Sequence, residues 1–256
     1  MRYYKGIINN YLLFYECSII LLSSVMDYSF SEGEIMLKKY ENLLNLDATI
    51  AKSLFEEYEH PWEVLPMVEM FILKTIPNLG DEYEEISKDV YVHKTAKISE
   101  TAYIKGPAII GANTEVRHCA FIRGKVIVGD NCVIGNSTEV KNAIIFNNVQ
   151  CPHFNYVGDS VLGEYSHIGA GVILSNVKSD KSNVKVKDKE EVIETGLRKF
   201  SAVLGNHVEV GCNSVVCPGS VIGENSNVYP LTMVRGVVEP NRIVKDMNNI
   251  VEKGDR

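Results

Sequence analysis

One spacing constrains this chain more than any other feature: from Val92 onward an aliphatic residue recurs at every sixth position. Val92, Ile98, Ile104, Ile110, Val116, Ile122, Val128, Ile134 and Val140 follow without a miss, and Leu204, Val210, Val216, Ile222, Val228 and Val234 resume the pattern. Four residues beyond each aliphatic stands a small or β-branched residue, among them Ala96, Ala102, Ala108, Thr114, Ala120 and Cys132. Neither the helical period nor the strand period produces this pattern. A hexad repeat builds a parallel β-helix, in which the aliphatic points into the axis and the small residue turns the corner beside it. Three hexads close a triangular coil, so residues about 18 apart stack on neighbouring rungs at roughly 4.8 Å.

The repeat places a mainly β domain over residues 91–240. Between Cys151 and Asp159 the register slips, because Phe146 and Pro152 keep the count while Val157, Leu162, Ile168 and Leu174 follow a shifted one. A slip in a ladder re-aims side chains, and His153 lies on this one. Residues 178–199 leave the repeat, and the alternation around Asp188-Lys189 predicts a charged hairpin. Before the repeat, residues 36–90 read as a small helical domain and linker. Leu37, Tyr40, Leu43 and Leu44 have helical spacing, and Asp47 is placed to cap a second helix bearing Ile50, Ala51, Leu54, Phe55 and Tyr58. A third helix is expected from Pro61–Trp62 to Thr75, then an acidic linker over 77–90. Trp62, the single tryptophan, is expected to be a packing anchor. Residues 241–256 are expected to form a polar tail, a short helix or a frayed end. Residues 1–35 form an apolar extension with two readings. One is a leader or anchor over 7–25, against which Asn9, Asn10 and Glu16 interrupt the run. The other, which we favour, is that translation begins at Met26 or Met36 and that this segment is not part of the folded unit.

A net charge of −7 argues against general nucleic-acid binding, though not against local basic pockets. The six cysteines show no metal-ligand spacing, and no metal site is expected. Cys132 fills a small-residue slot and reads as a buried structural thiol. Reduced thiols fit a cytoplasmic protein, with no membrane partner expected.

The position after each core aliphatic is glycine at 111, 129 and 135 but Lys105, Arg123 and Lys141 on one edge. These three stack as a column of cations, with Glu115 and Glu139 as candidate partners. Such a row suits a phosphate, Arg by its fork and Lys as a point charge; a salt-bridged outer face is the competing account. His153 follows Pro152 and precedes Asn155 and Tyr156, which are near enough to orient its ring. Histidine is the usual general base near neutral pH.

The segments Glu139-Val-Lys-Asn, Pro152-His-Phe-Asn-Tyr-Val-Gly-Asp-Ser and Ile168-Gly-Ala-Gly-Val-Ile-Leu-Ser-Asn resemble one known family. It is the acetyltransferase half of bifunctional N-acetylglucosamine-1-phosphate uridylyltransferase/glucosamine-1-phosphate acetyltransferase, and among its members the group related to UDP-N-acetylglucosamine pyrophosphorylase is most similar. The resemblance covers about residues 90–238 and is strongest over 120–177. It implies a left-handed parallel β-helix, a hand that runs against the general rule for crossovers. It also implies a homotrimer with active sites between subunits, and acetyl-coenzyme A as co-substrate. By the same resemblance His153 is the catalytic base, and Arg123 and Lys141, with Lys105 added from the spacing, hold a sugar phosphate or sugar nucleotide. Tyr156 and Asn176 are substrate contacts, and Ala170, Cys212 and Pro230 stand at coenzyme-site positions.

Several positions depart from the family. His167 replaces a common Asn, Val177 a frequent Tyr, Cys212 a Ser and Pro230 an Ala. The first 90 residues carry glycine only at 6, 33 and 80, with no Gly-x-Gly loop, so no uridylyltransferase chemistry is expected. The expected activity is acyl transfer from coenzyme A to the amine of an amino-sugar phosphate or sugar nucleotide. A non-catalytic sugar-nucleotide-binding scaffold is the alternative, and a nucleotidyltransferase ranks last.

Overall fold

A computed structural model of the protein describes residues 43–189 and 191–254. The hexads form a coil with three flat faces, each a ladder of short parallel strands. The first face carries Val92, Ile110, Val128, Ile145, Leu162, Leu204, Ile222 and Val238 in register. The second carries Ile98, Val116, Ile134 and Cys151, then Val210 beside Ile168, Val228 and Val244. The third carries Ile104, Ile122, Val140, Val157, Leu174, Val216 and Val234. All but Ile98 are buried. The chain is therefore the mainly β, parallel β-helix that the repeat predicts.

The register slip has two steps, and only the second, at Asp159, begins within the expected stretch. Ile122 pairs with Val140, 18 residues on, but Val140 pairs with Val157 and Ile144 with Val161, 17 residues on. The shortened sides run from Val140 to Ile145 and from Val157 to Leu162, where the single strands Glu139–Ile145 and Tyr156–Leu162 continue through the corner. Asn142 (φ 45°) and Asp159 (φ 48°) make those corners tight by taking left-handed backbone, which Asn and Asp tolerate better than most side chains. His153 belongs to the corner before. Ile145, not Phe146, continues the row, and Phe146 packs edge-on against Phe55 with ring centroids 5.6 Å apart.

The helical segments are shorter than the periodicity predicts. The helix expected from Met36 falls mostly outside the described residues. The helices beyond it are α1 (Lys52–Phe55) and α2 (Val68–Thr75), with a 3-10 turn over Leu65–Met67 leading into the second. Asp47 does not cap α1. Asn45 accepts from the Asp47 backbone N–H, the Asp47 carboxylate pairs with Lys52 at 2.6 Å, and Thr49 Oγ1 accepts from Ala51 N–H. Pro66 sits at the start of its own 3-10 turn, where its missing N–H costs nothing, so the helix expected from Trp62 begins only at Val68. The α2 helix lies across strands Val126–Val128 and Glu139–Ile145. Successive strand residues point to opposite sides, so Ile109, Ile127 and Ile144 face outward on the first face, yet all three are fully buried. Trp62 is buried and packs on Phe200 at 5.6 Å and on His60 at 4.6 Å.

Both ends of the coil depart from expectation in the same way. Tyr83–Ser87, inside the expected linker, pairs antiparallel with Val90–His93. Arg242–Asp246 and Asn249–Glu252, the expected tail, form a second antiparallel hairpin. An open ladder presents unpaired N–H and C=O groups, and the flanking segments satisfy them. The insertion forms strands Lys185–Asp188 and Glu191–Glu194. It folds back on the coil at Gly219 (φ 82°), where an added Cβ would stand 2.3 Å from the Lys185 carbonyl oxygen.

The three faces differ in dress. The first is covered by α2 and its flanking turns. The second shows Lys97, Glu115, Gln150, His167 and Glu209 to solvent, at least in part. The third exposes Tyr103, Phe121, Ile173, Val215 and Met233.

Cys132 fills its hexad slot in the core. Its thiol donates to the Phe146 carbonyl at 3.0 Å, and burial pushes its pKa up to about 12. Burial raises Cys151 as well, whereas Cys119 and Cys212 are exposed. Iodoacetamide at neutral pH followed by peptide mapping is expected to label Cys119 and Cys212 in the folded protein, and Cys132 and Cys151 only after unfolding. Labelling of Cys132 at the rate of Cys212 would contradict the buried-thiol assignment.

Candidate active site

The corner between the third and first faces holds the cation column. Lys105, Arg123 and Lys141 each follow a core aliphatic of the third face. Lys105 N–H donates to Ile122 and Arg123 N–H to Val140, both at 2.8 Å, so the three occupy consecutive rungs. Lys105 is exposed. Arg123 pairs with Glu139 at 2.6 Å, and that bond raises the guanidinium pKa further. Glu115 does not join the column, because it faces the second side and pairs with Arg117 at 3.0 Å and Lys97 at 3.9 Å.

Lys141 is less exposed than the column reading implies, with 19% of its side chain accessible. Its ammonium lies 2.8 Å from the carboxylate of Asp159, a residue that sequence reasoning did not single out. Asn142 donates to the same carboxylate at 2.9 Å, and Asn176 donates to it as well. Tyr156 stands opposite Glu139 on the next rung. Burial first, then the Asp159 and Glu139 carboxylates, hold its phenol above the ordinary value, against opposing pulls from Arg123 and a hydrogen bond with Asn176. Arg123, Lys141, Tyr156 and Asn176 therefore meet in one patch, organised by two carboxylates. Taken as point charges, Arg123 and Lys141 against Glu139 and Asp159 cancel, so an incoming phosphate meets oriented donors more than a net positive field.

His153 stands on the other edge of the third face, at the corner with the second. Asn136, His153, Ala170, Cys212 and Pro230 form one column there. Phe154 N–H donates to Asn136 at 2.8 Å, Gly171 to His153 at 3.1 Å, Asn213 to Ala170 at 2.8 Å and Leu231 to Cys212 at 3.0 Å. His153 is exposed, and its ring has no hydrogen-bond partner among the described residues. Asn155, expected beside the ring, holds the backbone instead. It is 3% exposed, its Oδ1 accepts from His153 N–H at 3.1 Å, and its Nδ2 donates to the Gly169 carbonyl at 2.7 Å.

Within one chain the site residues thus occupy two corners flanking one face. The hairpin insertion leaves from the cation corner, just after Leu174, and returns at Ala202. His167 pairs with Glu209 at 2.8 Å on the second face. A shallow cavity of about 370 Å³ also opens on that face, between Lys97, Ser99, Glu115, Arg117 and His118, and includes none of the site residues. Among the described residues no group of three or more His, Cys, Asp or Glu side chains is placed to hold a metal, and no helix is long and apolar enough to cross a membrane.

Comparisons with known proteins agree with the resemblance seen in the Glu139, Pro152 and Ile168 segments. A bifunctional sugar-1-phosphate nucleotidylyltransferase/acetyltransferase from Sulfurisphaera tokodaii is 33% identical over 216 residues, covering 79% of this chain and 52% of that relative. The bifunctional protein GlmU of Methanococcus maripaludis is 31% identical over 218 residues, covering 84% of this chain and 53% of its own length. The GlmU of Methanococcus aeolicus is 35% identical over 123 residues, 48% of this chain and 30% of that one. The chain spans about half the length of the first two relatives or, in the third match, less. Residues 105–253 match the model of the family described as the GMPPB C-terminal domain, and since that is more than half of the chain, this protein belongs to that family.

Proposed function

We propose that this protein is an acyltransferase that moves an acetyl or other acyl group from coenzyme A to the amine of an amino-sugar phosphate or sugar nucleotide. The observation that carries this reading is the joint placement of Arg123, Lys141, Tyr156 and Asn176 on one corner of the coil. An exposed His153, with no hydrogen-bond partner for its ring among the described residues, stands across the same face. The first group supplies donors for a phosphate and a sugar. The second supplies a base. The acceptor amine attacks the thioester carbonyl and His153 takes its proton. Backbone N–H groups near Gly169-Ala170-Gly171 are placed to stabilise the oxyanion. The intermediate collapses, the C–S bond breaks, and the departing thiolate is reprotonated to the free thiol. Ala170, Cys212 and Pro230, in the column above His153, are the proposed coenzyme contacts. The acetyltransferase function in the name of the Sulfurisphaera relative supports the same reading.

The apolar third face, bounded by both corners, supports a homotrimer packed through it. Corners of neighbouring chains would then meet, and the site would be completed between subunits. Free thiols suit a cytoplasmic location. The proposal includes no uridylyltransferase step, because the first 90 residues contain no Gly-x-Gly phosphate loop. The direct test is release of free coenzyme A thiol from acetyl-coenzyme A, followed with a thiol dye, in the presence of glucosamine-1-phosphate and a panel of amino-sugar nucleotides. Acceptor-dependent turnover is expected, and none with any acceptor rejects the reading.

Cys212 and Pro230 motivate the second reading, a binding scaffold without catalysis, since both depart from the family's residues in the coenzyme column. Calorimetry separates the two: a scaffold binds sugar nucleotide and not coenzyme A.

A further inference from the structure

Asp159 is the least accessible charged group of the candidate site, at 4% exposure, and every oxygen it has is engaged. Oδ2 receives the Lys141 ammonium and the Asn176 amide, and Oδ1 receives the Asn142 amide. Its backbone carbonyl accepts from Ser201 N–H at 2.9 Å. Asn176 and Ser201 are the two ends of the insertion, one just after departure and one just before return. A third bond, from Phe200 N–H to the Asn176 carbonyl at 3.1 Å, closes the neck. One residue thus fastens both roots of the excursion and, through its carboxylate, the two donors proposed to meet the acceptor.

We propose that Asp159 is a positioning residue for acceptor binding: it aims the Lys141 ammonium and the Asn176 amide and does not touch the acceptor itself. This rests on the acyl-transfer reading above for what the acceptor is. The physical ground is donor geometry. Lys is a flexible point charge with three rotatable donors, and only a fixed, buried anion holds it in one place. An amide swings freely about its terminal torsion unless one end is tied. Asp159 ties both. It leaves Lys141 with further N–H donors and Asn176 with its second N–H.

Asp159→Asn tests this at nearly constant volume. The new amide presents N–H groups to Lys141, Asn142 and Asn176, which are themselves donors, so at least one of them must turn away. The expected result is a rise of tenfold or more in KM for the phosphorylated amino sugar, with KM for acetyl-coenzyme A changed less than twofold. Lys141→Met should then add little in the Asp159→Asn background, although it costs tenfold or more alone. Equal changes in both KM values, or full additivity of the two substitutions, would overturn the proposal and leave Asp159 a structural residue only.

Calorimetric binding of glucosamine-1-phosphate to wild type and to Asp159→Asn separates this from the reading it rests on. Binding without turnover in wild type, lost tenfold in the variant, supports Asp159 and rejects acyl transfer. No binding of any phosphorylated amino sugar to wild type overturns both. Should Asp159→Asn fail to fold, Asn142→Gly removes the amide from the carboxylate while keeping the left-handed corner (φ 45°) that glycine adopts freely, and so leaves Lys141 and Asn176 in place. A threefold rise in acceptor KM is expected there, and an unchanged value counts against the proposal.

Discussion

Replacing His153 by alanine is expected to lower kcat for coenzyme A release by about 10²–10⁴-fold, the usual worth of a positioned general base. Melting temperature should stay close to wild type, because the ring is exposed and makes no hydrogen bond among the described residues. The backbone of His153 is held independently of its side chain. Asn155 Oδ1 accepts its N–H, and its carbonyl accepts from Gly171. Alanine therefore removes the imidazole and leaves the corner intact. KM for both substrates should change little, since the proposed phosphate donors sit across the face. Steady-state kinetics beside a thermal melt check this. Full activity in His153→Ala would remove the residue from the chemistry, whatever the fate of the phosphate patch.

Replacing Gly135 by alanine is expected to do the reverse, striking the scaffold first and the site as a result. An added Cβ at Gly135 would lie 1.6 Å from the Pro152 carbonyl oxygen and 2.0 Å from its carbonyl carbon. Ile134 pairs with Cys151 and Asn136 with His153, so Gly135 lies directly beneath Pro152 on the neighbouring rung. The obstacle is backbone, which cannot swing aside as the end of a side chain can. Overpacking of this kind typically costs about 1–3 kcal/mol, and a backbone obstacle belongs at or above the upper end. For a chain of this size about 3 kcal/mol corresponds to a fall of roughly 6–12 °C in Tm. The rung that must move carries His153, so activity should fall even at temperatures where the variant is folded. A melt within about 1 °C of wild type would show that the coil accommodates the methyl by opening its rungs.

These two residues also mark what can be read from the sequence. The aliphatic row through Val140 is legible because a core position tolerates little else. The column of Lys105, Arg123 and Lys141 is legible for the same reason, as cations in slots where neighbouring corners use glycine. The slip is hard to place from sequence because shortening a side does not remove a core residue. Ile144, Ile145 and Phe146 are three apolar residues in a row, and only the ladder shows that Ile145 is the inward one. Asp159 is within reach of sequence reasoning, since it lies 18 residues past Lys141, the spacing that links the three cations. The shortened side obscures that step, as Lys141 pairs across the rung with Gly158 and reaches Asp159 on the diagonal. Closeness in sequence assigns Asn155 to the imidazole, whereas burial commits its amide to the backbone. The helices before the coil are shorter than their apolar spacing suggests, since that spacing reports which residues face the first side and not how many turns they complete.

The antiparallel hairpins at the two ends of the coil have a consequence for how copies of this chain behave toward one another. A stack of parallel rungs is a template that another such coil would lengthen indefinitely, as a fibre grows. At one end the first face is closed by Tyr83–Ser87, whose outer row includes the acidic Glu84 and Glu85. At the other end the second face is closed by Asn249–Glu252. Each reverses the strand direction, so an arriving coil finds an edge of the wrong polarity there. Growth along the axis is thereby opposed on one face at each end.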